Sequence, residues 1–188
     1  MLKLLGAARE MQRFMDSRGW RSCLIGGLAV IRWGEARLTV DADITLLTGF
    51  GQEEAFVREL LQRFTPRRPD MEQFALRSRV VLVFSAQRYP IDIALAGLPF
   101  EERMVQRSSG YTYHRGISLR TCSAEDLIVT KAFADRDRDW EDIRGVVVRQ
   151  AGRLDWEYVH ENLAPLADLK EAPHIPQKLK VIRAELGG

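Results

Sequence analysis

From Arg37 to Ile44 polar and apolar residues alternate without a break. Arg37, Thr39, Asp41 and Asp43 fall on one side, and Leu38, Val40, Ala42 and Ile44 on the other. Period two is the pattern of a half-buried β-strand, and it predicts a strand over about 38–47. The segment YPIDIALAG repeats the pattern, with Ile91 and Ile93 on the apolar face and Asp92 opposite them. Upstream, Cys23 to Ile25 reads as a short strand, Gly26-Gly27 as a turn, and Leu28 to Trp33 as the start of a helix. VVLVF, from Val80 to Phe84, predicts a further strand, turned by Gln87 to Pro90 into the one bearing Asp92, and Ile117 to Leu119 predicts another.

Helical spacing is present at about 2–17 and again at about 52–64, where Phe56, Leu60, Leu61 and Phe64 recur on one face. Arg67-Arg68-Pro69-Asp70 reads as a loop. From Ser123 onward the chain turns helical. Ser123 with Asp126 has the form of an N-cap with an acidic N3 residue, and Leu127, Ile128, Lys131 and Ala134 lie on successive turns. DRDRDWED predicts a break and a new start capped by Asp139. Helices over about 140–151, 155–168 and 176–186 follow, with Pro173 and Pro176 in the last linker. The expected architecture is α/β: a small mixed β-sheet core flanked by helices over 1–120, then a C-terminal helical bundle over 121–188.

Composition narrows the class. The 188 residues are 46% hydrophobic and 29% charged, as in soluble globular proteins. No apolar run approaches the ~20 residues of a membrane span. The N-terminal stretch reads as an amphipathic helix rather than a signal peptide, and Cys23 and Cys122 form no export-type or metal-type pattern. A cytoplasmic location is the expectation. The net charge of +2 does not mark a nucleic-acid binder, although arginines cluster at Arg67, Arg68, Arg77 and Arg79, then at Arg103, Arg107, Arg115 and Arg120. They read either as solvated surface or as contacts to a triphosphate or an RNA backbone.

The chemistry lies in the carboxylates. Asp41 and Asp43 on one strand face repel by about 2–3 kcal/mol at an effective dielectric near 20, which a cation offsets. Asp92 on a neighbouring strand brings a third ligand. An all-oxygen set suits Mg²⁺ or Mn²⁺, whereas the scattered His114, His160 and His174 do not suggest zinc. Gly26 and Gly27 open a helix N-terminus, whose N–H groups and dipole suit phosphate.

Together these residues resemble the DNA polymerase β-type nucleotidyltransferases. A glycine turn, a helix, Asp-x-Asp on a strand and a later third Asp form that superfamily's signature. The finer pattern, Gly26-Gly27, Ala29 and Arg37-x-Thr39-x-Asp41-x-Asp43, is similar to the AbiEii branch, which includes toxins of bacterial toxin–antitoxin systems. SAEDLIVTKAFADRDRDWEDI, from Ser123 to Ile143, is similar to that branch's helical motif. Gly27 departs from the serine found in many superfamily members, which removes a hydroxyl contact to phosphate.

The resemblance implies a nucleotidyltransferase core using two Mg²⁺ (or Mn²⁺) ions with an NTP. Asp41, Asp43 and Asp92 would be the metal ligands and catalytic residues, and Gly26, Gly27, Arg37 and Lys131 the nucleotide contacts. Thr39, Asp139 and Asp142 are further candidates; Asp139 and Asp142 read equally as anchors for Arg136 or Arg138 or as helix caps. The implied acceptor is tRNA or another RNA, with an antitoxin protein as partner. A small-molecule nucleotidyltransferase of the antibiotic-modifying type is the alternative, and a non-catalytic scaffold of the same fold is a third reading.

Overall fold

A computed structural model describes residues 1–187. Two compact units divide the chain: Met1–Leu28 with Leu38–Cys122, and Ala29–Arg37 with the chain from Ser123 onward.

The first unit holds a mixed sheet. Its strands are β1 (Ser22–Leu24), β2 (Ala42–Leu47), β3 (Thr65–Pro66), β4 (Val80–Phe84), β5 (Pro90–Ala96), β6 (Ser109–His114) and β7 (Ile117–Thr121), in the spatial order β3-β4-β5-β2-β1-β7-β6. β2 pairs with β5 in parallel, as β1 does with β7, and the remaining pairs are antiparallel. Helix α1 (Leu2–Ser17) packs on β1, β2 and β7 through Leu4, Leu5, Ala8, Met11 and Met15, all at most 2% exposed. Alternation along β4 and β5 buries Val81, Val83, Ile91 and Ile93 completely. Burying a side chain of this size contributes about 1.5–3 kcal/mol.

Two short helices of this unit, α4 (Met71–Ser78) and α5 (Pro99–Arg107), were not expected from the periodicity. Each buries only two or three apolar residues, Met71 and Ala75 in α4 and Phe100, Met104 and Val105 in α5. α5 is marked instead by Pro99 at its first position and by Glu101, whose carboxylate accepts from the N–H groups of Gly97 and Leu98. Helix α3 (Glu53–Arg63) agrees with the expected span.

The expected strand over 38–47 needs correction. β2 begins only at Ala42, and Leu38 and Val40 are 78% and 64% exposed instead of forming an apolar layer. The ladder with β5 opens at Ala42↔Ile91 and that with β1 ends at Leu24↔Ile44. Alternation upstream of those pairs is a pattern without a ladder.

Helix α2 (Gly26–Trp33) starts in the first unit and continues into the second. The second unit then gathers α6 (Ala124–Ala134), α7 (Asp137–Gln150), α8 (Trp156–Leu169) and α9 (His174–Leu186) around Leu127, Ile128, Ile143, Val146, Val159, Leu163, Ile175 and Leu179. Ser123 caps α6, its hydroxyl accepting from the Asp126 N–H at 3.1 Å. The cap expected at Asp139 is not there: α7 begins at Asp137 with Arg136 as N-cap, which puts Asp139 inside the first turn. Among the described residues no helix is long and apolar enough to cross a membrane.

Candidate active site

The parallel register of β2 and β5 sets Asp43 directly beside Asp92. Their flanking residues, Ala42 and Ile44 on one strand and Ile91 and Ile93 on the other, are wholly buried on the opposite face. That anchoring aims both carboxylates away from the core. Asp41 stands one residue before β2. One carboxylate oxygen from each of Asp41, Asp43 and Asp92 lies within 4.8 Å of the others, and all three residues are half-buried. A cluster of hard oxygen donors at this separation fits a divalent cation of the Mg²⁺ or Mn²⁺ type.

The two glycines shape this cluster. Gly26 has φ +57°, and a Cβ there would fall 1.9 Å from Asp43 Oδ2. Gly27 donates its N–H to the same oxygen at 3.4 Å, and a Cβ on it would fall 2.3 Å from Thr39 Oγ1. The volume a side chain at position 27 would take is thus filled by Thr39. The Thr39 hydroxyl in turn lies 3.3 Å from both the carbonyl and Oδ1 of Asp41. The glycine pair admits Asp43 and Thr39 against the helix start, a role beyond phosphate approach alone.

Asp92 is also ion-paired with Arg67. Its carboxyl titrates above the ordinary carboxylate range because burial disfavours the charge; Arg67 opposes that shift and the Asp41 carboxylate reinforces it. The sequence leaves Arg67 open between solvated surface and a contact to a triphosphate or an RNA backbone. No local pattern links it to Asp92, which is 25 residues away.

Arg37 and Lys131 belong to the second unit, where they form a separate cluster. Lys131 Nζ lies 2.7 Å from Asp139 Oδ1 and 2.6 Å from Asp142 Oδ2, with the lysine side chain only 6% exposed. Arg37 grips Asp142 with two bonds, Nε to Oδ1 at 2.6 Å and Nη2 to Oδ2 at 2.7 Å. Arg136 Nε donates to Asp139 Oδ2 at 2.6 Å. Burial works against ionising both aspartates, but their hydrogen bonds and charges outweigh it: Arg136 and Lys131 for Asp139, Arg37 and Lys131 for Asp142. Both carboxyls are held below their usual range.

Of the first arginine group, Arg67, Arg68, Arg77 and Arg79, three are ion-paired with carboxylates of the same unit. Arg67 holds Asp92, Arg68 takes Asp70 in a fork at 2.6 and 2.9 Å, and Arg79 pairs with Glu53. Arg77 is exposed.

A mixed sheet that sets Asp43, with Asp41 just ahead of its strand, beside a third aspartate is the arrangement that the nucleotidyltransferase resemblance implies. The chain belongs to the family described as nucleotidyltransferase of unknown function (DUF6036), which it matches over residues 2–172. No curated protein matches the sequence. Among solved structures, the antibiotic-resistance factor ANT(2″)-Ia shares the fold, at 17% identity and a TM-score of 0.55 over 91% of this chain and 95% of that one. An antigenic nucleotidyltransferase-like protein from Paracoccidioides brasiliensis aligns over 94% of this chain and 92% of its own, at 15% identity and a TM-score of 0.49. The lincosamide antibiotic adenylyltransferase LnuA aligns over 73% and 92%, at 14% identity and a TM-score of 0.48.

Proposed function

We propose that this protein transfers a nucleoside monophosphate from an NTP to a hydroxyl of a small-molecule acceptor, with divalent cations held by Asp41, Asp43 and Asp92. The observation that carries the reading is the convergence of these three carboxylates within 4.8 Å. Mg²⁺ or Mn²⁺ bound there would neutralise charge on the attacking and leaving oxygens. Asp92, the third carboxylate of the set, would help to activate the acceptor hydroxyl. The acceptor oxygen then bonds to the α-phosphorus as the bond to the β-phosphate oxygen breaks and pyrophosphate leaves. The N-terminus of α2, opened by Gly26 and Gly27, offers its dipole and N–H groups to the phosphates. We assign Arg37 and Lys131, each committed to buried carboxylates, to building the second unit.

The small-molecule acceptor is favoured by the internal pairing of Arg68 with Asp70 and of Arg79 with Glu53. One protein of this fold, ANT(2″)-Ia, is an antibiotic-resistance factor. The motif likeness to the AbiEii branch supports the competing reading, an RNA acceptor with an antitoxin partner. Incubation with each labelled NTP and Mn²⁺ or Mg²⁺, against total RNA and against a panel of hydroxyl-bearing antibiotics and sugars, separates the two. Label in the small-molecule fraction, lost in Asp43→Asn, is the expected result. Label in RNA alone would replace the acceptor assignment with the toxin one.

A further inference from the structure

Arg67, Leu82, Asp92 and Asp43 form one row across the sheet. The Arg67 N–H donates to the Leu82 carbonyl at 2.9 Å, carrying the β3–β4 pairing one residue beyond Pro66↔Val83. Leu82 is opposite Asp92, and Asp92 is opposite Asp43. Residues opposite one another in a sheet share a face, so the register sends the arginine side chain across Leu82 toward the aspartates. Neighbouring strands lie about 4.8 Å apart, so two spacings make about 9.6 Å, a gap that the arginine and aspartate side chains close together. Its guanidinium meets the Asp92 carboxylate, with side-chain exposures of 29% and 31%. The edge of the sheet thereby delivers a fixed cation to a cluster of like charges.

We propose that Arg67 is the resident counter-cation of the aspartate cluster: it competes with a divalent metal for Asp92 and yields that carboxylate when a triphosphate offers its guanidinium another anion. The inference rests on the metal-dependent reading above. It makes metal loading and nucleotide binding mutually reinforcing, because the triphosphate relieves a competition that the metal otherwise faces alone. Arginine suits the exchange, since its fork binds carboxylate and phosphate oxygens in the same geometry.

The test is Mn²⁺ affinity, read by the loss of the free-ion electron paramagnetic resonance signal, for wild type, Arg67→Ala and Arg67→Gln. The glutamine variant keeps a polar side chain should the alanine variant fold poorly. Each is measured with and without a non-hydrolysable NTP analogue. Without nucleotide, both variants should bind Mn²⁺ about tenfold more tightly than wild type. With the analogue present, wild type and variants should converge. Equal or weaker Mn²⁺ binding in both variants overturns the inference and leaves Arg67 as an aid to positioning Asp92. Asp92→Asn separates that outcome from failure of the metal reading. If wild type, Arg67→Ala and Asp92→Asn all leave Mn²⁺ free under every condition, the metal site itself is wrong and this inference falls with it.

Discussion

Asp43 and Asp92 are direct partners in the parallel pairing of β2 with β5, so two carboxylates that come from distant parts of the chain share one sheet face. Their juxtaposition is unfavourable in isolation, yet it is held by backbone hydrogen bonds and by wholly buried neighbours on the reverse face. The fold stabilises a charge arrangement that a cation makes favourable, and Arg67 supplies one to Asp92.

Replacing any one of the three with asparagine should abolish transfer while leaving the fold. The expected loss exceeds the ~10–100-fold usual for a residue that merely supports a metal ligand. For Asp41→Asn the metal-free melting temperature should hold or rise, through relief of repulsion. Initial rates with labelled NTP and thermal melts of the same preparations check both parts.

Gly26→Ala should damage stability and activity together. The left-handed backbone costs an alanine about 1 kcal/mol, and its Cβ would displace the Asp43 carboxylate. Gly27→Ala collides instead with Thr39, so Thr39→Ala should restore part of the loss. Relief is partial because Thr39 Cβ itself would stand 2.7 Å from the new atom. A urea-denaturation double-mutant cycle should give a coupling of about 0.5–3 kcal/mol between positions 27 and 39.

Lys131→Met should be among the most destabilising single changes in the second unit, by about 3 kcal/mol, because it strips a buried cation from two carboxylates. Arg37 and Arg136 still partner the aspartates, which keeps the loss at the lower end of the usual range. Denaturation monitored by tryptophan fluorescence measures it, since Trp33, Trp140 and Trp156 lie in this unit and Trp20 in the other.

Asp139 and Asp142 also predict how stability depends on pH. Their carboxyls are depressed in the folded protein. Their stabilisation is therefore fully present above the unfolded value of about 3.9 and is lost as pH falls through the folded values. Wild-type stability should drop steeply below about pH 4, and Asp139→Asn should flatten that drop. Urea midpoints from pH 6 down to pH 3 test the slope.

Leu38→Ser and Val40→Ser should each change stability by less than about 0.5 kcal/mol, the range of ordinary surface substitutions. A loss of 2 kcal/mol or more would mean that these residues bury an apolar face after all.

By itself the sequence determined whatever depends on spacing within one element. Period two marked β5 and placed Asp92 opposite Ile91 and Ile93; a short apolar run marked β4; helical spacing marked α1, α3 and α6 to α9; and Ser123 announced the start of α6. Asp43 and Asp92 were legible as candidate metal ligands because alternation tells which side of a strand a residue faces, and Asp41 joined them as the first carboxylate of Asp-x-Asp. The tertiary structure decided everything that needed a partner. Alternation from Arg37 to Val40 is as regular as that of a strand, but a strand exists only where a neighbour accepts its hydrogen bonds, and the ladders of β2 begin at Ala42. Lys131 has the spacing of any helical lysine, and only the packing of α6 against α7 buries it between Asp139 and Asp142. Arg67 lies in a segment that reads as a loop. Its commitment to Asp92 follows from the registers β3–β4 and β4–β5, which are long-range choices set by burial across the whole sheet rather than by any residue near Arg67 in the chain.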